Sequence, residues 1–128
     1  MSATTFLIVE DSPTMRQLLA FSLRRLKDCR IIEAVDGVDA LKKLTTERVD
    51  LVITDINMPE MDGITLLREI RKHPALGRTP VLILTTSTDD EVKASARAAG
   101  ATGWIGKPFH PDQLSQIVAR VLGRERPG

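Results

Sequence analysis

The stretch Phe6-Leu7-Ile8-Val9-Glu10-Asp11-Ser12-Pro13 passes through three kinds of local structure in turn. Four apolar residues in succession, without polar alternation, suit a strand covered on both faces. An acidic pair closes the run. Ser12 can then cap a helix through its hydroxyl, and Pro13 suits the first helical position, where no N–H is needed. The segment that follows carries Met15, Leu18, Leu19, Leu23 and Leu26 at steps of three and four, one apolar stripe. A buried strand leading through carboxylates into an amphipathic helix is the start of a βα unit in a parallel sheet.

Working outward, the pattern repeats. Apolar runs recur at Ile31-Ile32, Leu51-Val52-Ile53, Val81-Leu82-Ile83-Leu84 and, more weakly, Trp104-Ile105, roughly 20 to 30 residues apart, with helical periods between them. Asp36-Gly37 introduces Val38, Leu41 and Leu44; Asp62-Gly63 introduces Ile64, Leu67 and Ile70, and His73-Pro74 stops that helix. The last stripe, Leu114, Ile117, Val118, Val121 and Leu122, is expected to end at Gly123 before a frayed polar tail over 124–128. The segment Asp89 to Ala99 differs: Val92 is its only large aliphatic, and Ala94, Ala96, Ala98 and Ala99 supply the rest. Such a helix has little apolar area to hold it down and can shift at low cost. Five strands alternating with five helices predict an α/β domain with a doubly wound parallel sheet, and right-handed crossovers bring the carboxyl ends of its strands to one edge.

Composition agrees with one domain over 1–128, its core spanning about 5–122. Lys plus Arg is 18 against 17 Asp plus Glu, a net +1 without blocks of like charge, and three Phe and one Trp are the only aromatics. Neither a basic footprint nor a set of stacking rings points to nucleic acid. Cys29 stands alone, so no internal disulfide forms, and it reads as a packing residue. No apolar run nears the ~18 residues of a membrane span, and the first residues lack the basic stretch of a signal peptide. A soluble, cytoplasmic protein with no membrane insertion and no direct nucleic-acid contact is expected.

Ligands of open parallel sheets bind beyond the carboxyl ends of the strands. Run one ends in Glu10-Asp11, run three in Asp55 and run four in Thr85, while run five leads to Lys107. Three carboxylates, a hydroxyl and an ammonium then converge. Carboxylates at close range repel unless a cation sits among them, and an all-oxygen set suits Mg2+. The central carboxylate, Asp55, is the natural nucleophile for phosphoryl transfer, with the metal and Lys107 neutralising charge on the transferring oxygens.

Glu10-Asp11-Ser12, the loop Asp55-Ile56-Asn57-Met58-Pro59-Glu60-Met61-Asp62-Gly63, Leu84-Thr85 and Gly106-Lys107-Pro108-Phe109 together resemble the receiver domains of two-component signalling, and the likeness covers about residues 5 to 122. The resemblance implies a flavodoxin-like sheet of order 2-1-3-4-5, the order the CheY receiver exemplifies. It further implies that Asp55 takes a phosphoryl group from the phosphohistidine of a sensor histidine kinase. Glu10, Asp11 and Asp55 are implied to hold Mg2+ through carboxylates and Asn57 through its backbone carbonyl. Lys107 pairs with Asp55 and then with a phosphoryl oxygen, and the Lys107-Pro108 bond is expected to be cis. Thr85 is implied to donate its hydroxyl to the phosphoryl group and, as in receivers, to move inward on phosphorylation. Asn57 and Ser87 stand where receivers tune the access of water to the phosphoaspartate. Self-phosphorylation and its reversal would be the only reactions catalysed, so an enzyme acting on a separate substrate is not expected.

The switch aromatic of the resemblance falls on Trp104, where Tyr, Phe or His is more familiar; an indole filling the core is the competing role. The surface implied to meet a downstream protein is the fourth helix, last strand and last helix. Asp11-Ser12-Pro13-Thr14-Met15-Arg16 also resembles chemotaxis-type regulators. Several outputs stay open: binding a partner such as the flagellar motor switch, acting as a phosphate sink, relaying phosphate to a histidine phosphotransfer protein, or binding independently of phosphorylation. An aspartate-nucleophile phosphatase of the haloacid dehalogenase kind needs a second carboxylate where Asn57 stands. A flavin carrier needs a phosphate-binding loop where Glu10-Asp11 would repel the phosphate.

Overall fold

The computed structural model describes residues 3–26, 28–58, 61–86 and 90–125, the side chains of 124 and 125 apart. Strands β1 (Thr4–Val9), β2 (Cys29–Ala34), β3 (Leu51–Asp55), β4 (Val81–Thr85) and β5 (Gly103–Gly106) alternate with helices α1 (Pro13–Leu23), α2 (Gly37–Thr46), α3 (Gly63–Lys72), α4 (Asp90–Ala98) and α5 (Pro111–Glu125). The sheet runs β2-β1-β3-β4-β5, every neighbouring pair parallel. This is the expected doubly wound, flavodoxin-like α/β fold.

Strand periodicity explains why the apolar runs do not alternate. Phe6, Ile8 and Ile53 point to one face, where α1 and α5 cover them with Leu19, Leu23, Leu114 and Val118. Leu7, Val9, Val52 and Ile83 point to the other, where α2, α3 and α4 bring Ala40, Leu44, Leu66, Leu67, Ile70 and Ala96. Both faces of the strands are therefore buried, and apolar side chains are needed at successive positions. The helix starts follow the caps: the side chains of Ser12, Asp36 and Asp62 accept from the N–H of Met15, Asp39 and Thr65, respectively.

The helix ends depart from expectation in several places. Leu18 and Val38 face solvent rather than the core, because a stripe of threes and fours is wider than the line of contact with a sheet. Helix α1 stops at Leu23, and Leu26 reaches the core from the following turn. Helix α5 continues through Gly123 to Glu125. A glycine ends a helix when it turns left-handed, and among the described residues Gly100 is the only glycine that does so. The expectations for Pro59, Glu60, Ser87 and Asp89, and for the tail beyond 125, lie outside the described residues. Among the described residues no helix is long and apolar enough to cross a membrane.

Candidate functional site

Parallel register sets the site. Val9 lies level with Ala34 and Thr54, Asp55 with Leu84, and Thr85 with Gly106, so strands β1, β3, β4 and β5 end side by side. The residue after β1 is Glu10, fully buried; Asp55 ends β3 almost as deeply, and Asp11 stands beside them in the open. One carboxylate oxygen of each lies within 4.8 Å of the others.

Lys107 closes this cluster from the far side. Its Nζ is 3.1 Å from Glu10 Oε1 and 3.1 Å from Asp55 Oδ2. The other oxygen of Asp55 accepts from the Ile56 N–H at 2.8 Å, and the other oxygen of Glu10 from the Ser12 N–H at 3.1 Å. Asp55 is thus gripped at both oxygens. The Lys107 N–H donates to the Thr85 carbonyl at 2.8 Å, fixing the loop to β4. The Lys107-Pro108 peptide is cis, as the family resemblance implies.

One ammonium does not neutralise three carboxylates. Burial raises the pKa of Glu10 above its ordinary value, Asp11 and Asp55 add to the rise, and the Ser12 N–H and Lys107 oppose it. Burial alone would lower the Lys107 ammonium, but bonds to Asp55 and Glu10 and their charges outweigh it and raise its pKa. An excess of negative oxygens facing a strand edge fits a hard divalent cation with oxygen ligands, and Mg2+ suits such a set.

The structure brings Glu10, Asp11, Asp55 and Lys107 together and sets buried Thr85 beside them on the next strand. Asn57 is exposed in the loop two residues beyond Asp55. Trp104 is placed apart from the carboxylates, opposite Ile83 in the middle of the β4–β5 ladder. Its indole is half-buried against the core, with Lys93 Nζ 5.4 Å and Arg97 Cζ 5.3 Å from the ring centroid. It is neither a fully enclosed core residue nor a free ring.

Two contributors escaped the sequence reading. A Cβ on Gly63 would lie 2.2 Å from the Asp55 carbonyl oxygen, so only glycine lets α3 begin against the end of β3. Gly63 N–H also donates to the Ile56 carbonyl at 2.9 Å. Arg16 folds back from α1 and donates to the carbonyls of Glu10 at 2.8 Å and Asp11 at 3.3 Å. Asp62-Gly63 read as a turn and cap signal, and a cation in the first turn of a helix was the available hint for Arg16.

Comparison with known proteins agrees with this geometry. The family model for the response regulator receiver domain matches residues 6–119. A chemotaxis protein CheY homolog of Campylobacter jejuni is 38% identical over 118 residues, 91% of each chain. The structure of the Vibrio cholerae chemotaxis protein CheY4 superposes with a TM-score of 0.88 at 38% identity, covering 94% of this chain and 99% of that one. The receiver domain of a Pseudomonas aeruginosa sensor histidine kinase, with a magnesium ion coordinated in its active-site cleft, is 29% identical with a TM-score of 0.86, covering 95% and 99%.

Proposed function

The chain belongs to the response regulator receiver domain family, and from that membership we propose that Asp55 accepts a phosphoryl group from the phosphohistidine of a sensor histidine kinase in a Mg2+-dependent reaction. The observation that carries this is the buried Asp55 carboxylate, held by the Ile56 N–H and the Lys107 ammonium with Glu10 and Asp11 at its side.

Glu10, Asp11 and Asp55 would hold the ion through carboxylates, and Asn57 through its backbone carbonyl. Mg2+ supplies positive charge beside the phosphoryl oxygens. An Asp55 oxygen attacks phosphorus, the P–N bond to the donor imidazole breaks, and the imidazole leaves with the electron pair. Lys107 already touches Asp55, 3.1 Å away, and would pass to a phosphoryl oxygen. The Thr85 hydroxyl donates to another. Burial of the site strengthens each of these contacts.

The signal passes to a downstream protein through the α4-β5-α5 surface, where α4 is held by few apolar contacts and Trp104 lies beneath its cations. The Campylobacter and Vibrio relatives support a role in chemotaxis or a related two-component pathway. The protein acts in the cytoplasm and turns over no substrate apart from its own phosphoaspartate.

The test is to mix the protein with acetyl phosphate and follow intact mass beside Trp104 fluorescence, with Asp55→Asn as control. One phosphoryl addition requiring both Mg2+ and Asp55 is expected, with a change in emission. A wild type that gains no mass and binds neither Mg2+ nor beryllofluoride would sink the proposal in favour of a phosphorylation-independent binding module.

A further inference from the structure

Arg16 occupies a costly position. It is the fourth residue of α1, whose first turn carries no acidic side chain, and a cation near a helix N-terminus works against the helix dipole by about 0.3–1 kcal/mol. Its side chain is 17% exposed and makes three polar contacts, all leading away from its own helix. Nη1 donates to the carbonyls of Glu10 and Asp11 at 2.8 and 3.3 Å, and Nε to Glu33 Oε1 at 3.2 Å.

Those carbonyls sit where the ladder runs out. Strand β1 pairs with β2 as far as Val9 and Ala34, and the Glu10 N–H still donates to the Ala34 carbonyl at 3.1 Å. Beyond that point the next N–H of the chain after β2, that of Val35, is taken by Asp39 Oδ2 at 3.1 Å. The guanidinium fork takes over, and Glu33, on β2, holds the fork in place. The backbone of both leading carboxylates is thereby tied to the sheet.

We infer that Arg16, braced by Glu33, is a positioning residue for the Mg2+ site: it fixes the Glu10-Asp11 backbone so that the two carboxylates converge with Asp55 before the ion arrives. This rests on the proposed phosphoacceptor role and adds to it a residue that touches neither ion nor phosphate.

Charge and position make opposite demands, which gives the test its sign. If Arg16 acted through its charge, removing it would leave the carboxylates more negative and tighten Mg2+ binding. If it acts by position, removing it frees the backbone and weakens binding, and supporting partners of metal ligands typically contribute 10–100-fold in affinity. Mg2+ alone is titrated calorimetrically into the full chain, without phosphodonor, with circular dichroism verifying that each variant is folded. Arg16→Gln is expected to weaken binding about tenfold. Arg16→Lys keeps the charge but not the fork and is expected to restore less than half of the loss. Amide exchange at Asp11 and Ser12 should quicken in Arg16→Gln, while the Ile56 amide, on β3's side of the cluster, keeps its wild-type rate.

Wild-type binding with unchanged or tighter binding in Arg16→Gln overturns the positioning role and leaves the phosphoacceptor role standing. Full recovery in Arg16→Lys shows that the guanidinium geometry is not what holds this backbone, and likewise overturns it. Absence of Mg2+ binding in the wild type overturns both. Should Arg16→Gln fail to fold, Glu33→Gln tests the same point through amide exchange, which the lost charge does not itself move: exchange at Asp11 and Ser12 is expected to quicken as the brace is lost, and wild-type rates there refute the inference.

Discussion

Replacing Gly63 by alanine sets two physical effects against each other at one atom. In a helix the change ordinarily stabilises by roughly 0.5–1 kcal/mol, because alanine has less backbone freedom to lose on folding. Here the new Cβ would lie 2.2 Å from the Asp55 carbonyl oxygen and 3.0 Å from both the Asp55 carbonyl carbon and the Ile56 Cα. All three are backbone atoms, so no side chain can swing aside. The start of α3 must retreat by about an ångström to reach the roughly 3.3–3.6 Å of ordinary C···O contacts. Overpacking of this kind costs about 1–3 kcal/mol, and stretching the Gly63 to Ile56 hydrogen bond adds about 1 kcal/mol. After the helix gain, the net loss is about 2 kcal/mol, or about 8 °C in Tm for a domain of this size. Gly123→Ala is the matched control: nothing lies within 4 Å of its Cβ position, so it should gain about 0.5 kcal/mol. Thermal and urea melts of the two variants measure both effects, and Mg2+-dependent phosphorylation of Gly63→Ala should fall as the Asp55 backbone is displaced. A Gly63→Ala protein melting at or above the wild type would show that the α3 start yields freely and that the close approach has no energetic weight.

Arg71→Met removes a guanidinium that donates to the carbonyls of Gly100 and Thr79; a loss of about 2–3 kcal/mol in urea unfolding is expected, and a loss under about 0.5 kcal/mol would mean that water replaces those bonds. Lys93→Gln and Arg97→Gln should each shift Trp104 emission and speed amide exchange in α4, since each cation–π contact contributes about 0.5–1 kcal/mol; unchanged exchange in the double variant would exclude them as anchors. Glu10 governs a pH effect in metal-free protein. Its folded pKa lies above 4.5, so its contribution to stability is fully present below the unfolded pKa and is lost as pH rises through the folded one. Stability should accordingly gain from Glu10 as pH falls from neutrality toward 4.5, and Glu10→Gln should lack that increment; equal pH slopes in urea titrations of the two proteins would refute it.

The fold was legible because the core writes itself into sequence at every strand: Phe6 to Val9 and Val81 to Leu84 have to be apolar throughout when both faces are covered. The carboxylates, Thr85 and Lys107 were legible because parallel strands deliver their ends to one edge. Gly63 and Arg16 were not. The contact that requires glycine is between α3 and the backbone of β3, and backbone atoms carry no sequence signature. Arg16 acts on carbonyls, which every residue has, so nothing in Glu10 or Asp11 announces the partner. The overrun of α5 past Gly123 has the same character, since glycine permits a left-handed turn without requiring one.

For a charge change at Asp55 to be read at a distance, some element near it must yield, and the unequal anchorage of the helices indicates which. Helix α3 buries Leu66, Leu67 and Ile70, and Arg71 ties its end to two loops, whereas α4 buries Ala96 alone among its described residues. Between the two helices lies a cavity of about 340 Å³ lined by Ile56, Ile64, Arg68, Glu91, Val92 and Ser95. Ile56 directly follows Asp55, and Val92 is the one large aliphatic of α4. A shift of the loop after Asp55 therefore meets a solvent-open cleft bounded by the most weakly held helix, where movement sacrifices little apolar burial. The cations of α4 over Trp104 oppose that movement by only about 0.5–1 kcal/mol each, within reach of the differential contacts that a ligand supplies when it shifts a conformational equilibrium. The proposed coupling of this site to the α4-β5 surface would thus follow a gradient of packing: dense around the carboxylates, thin beneath α4.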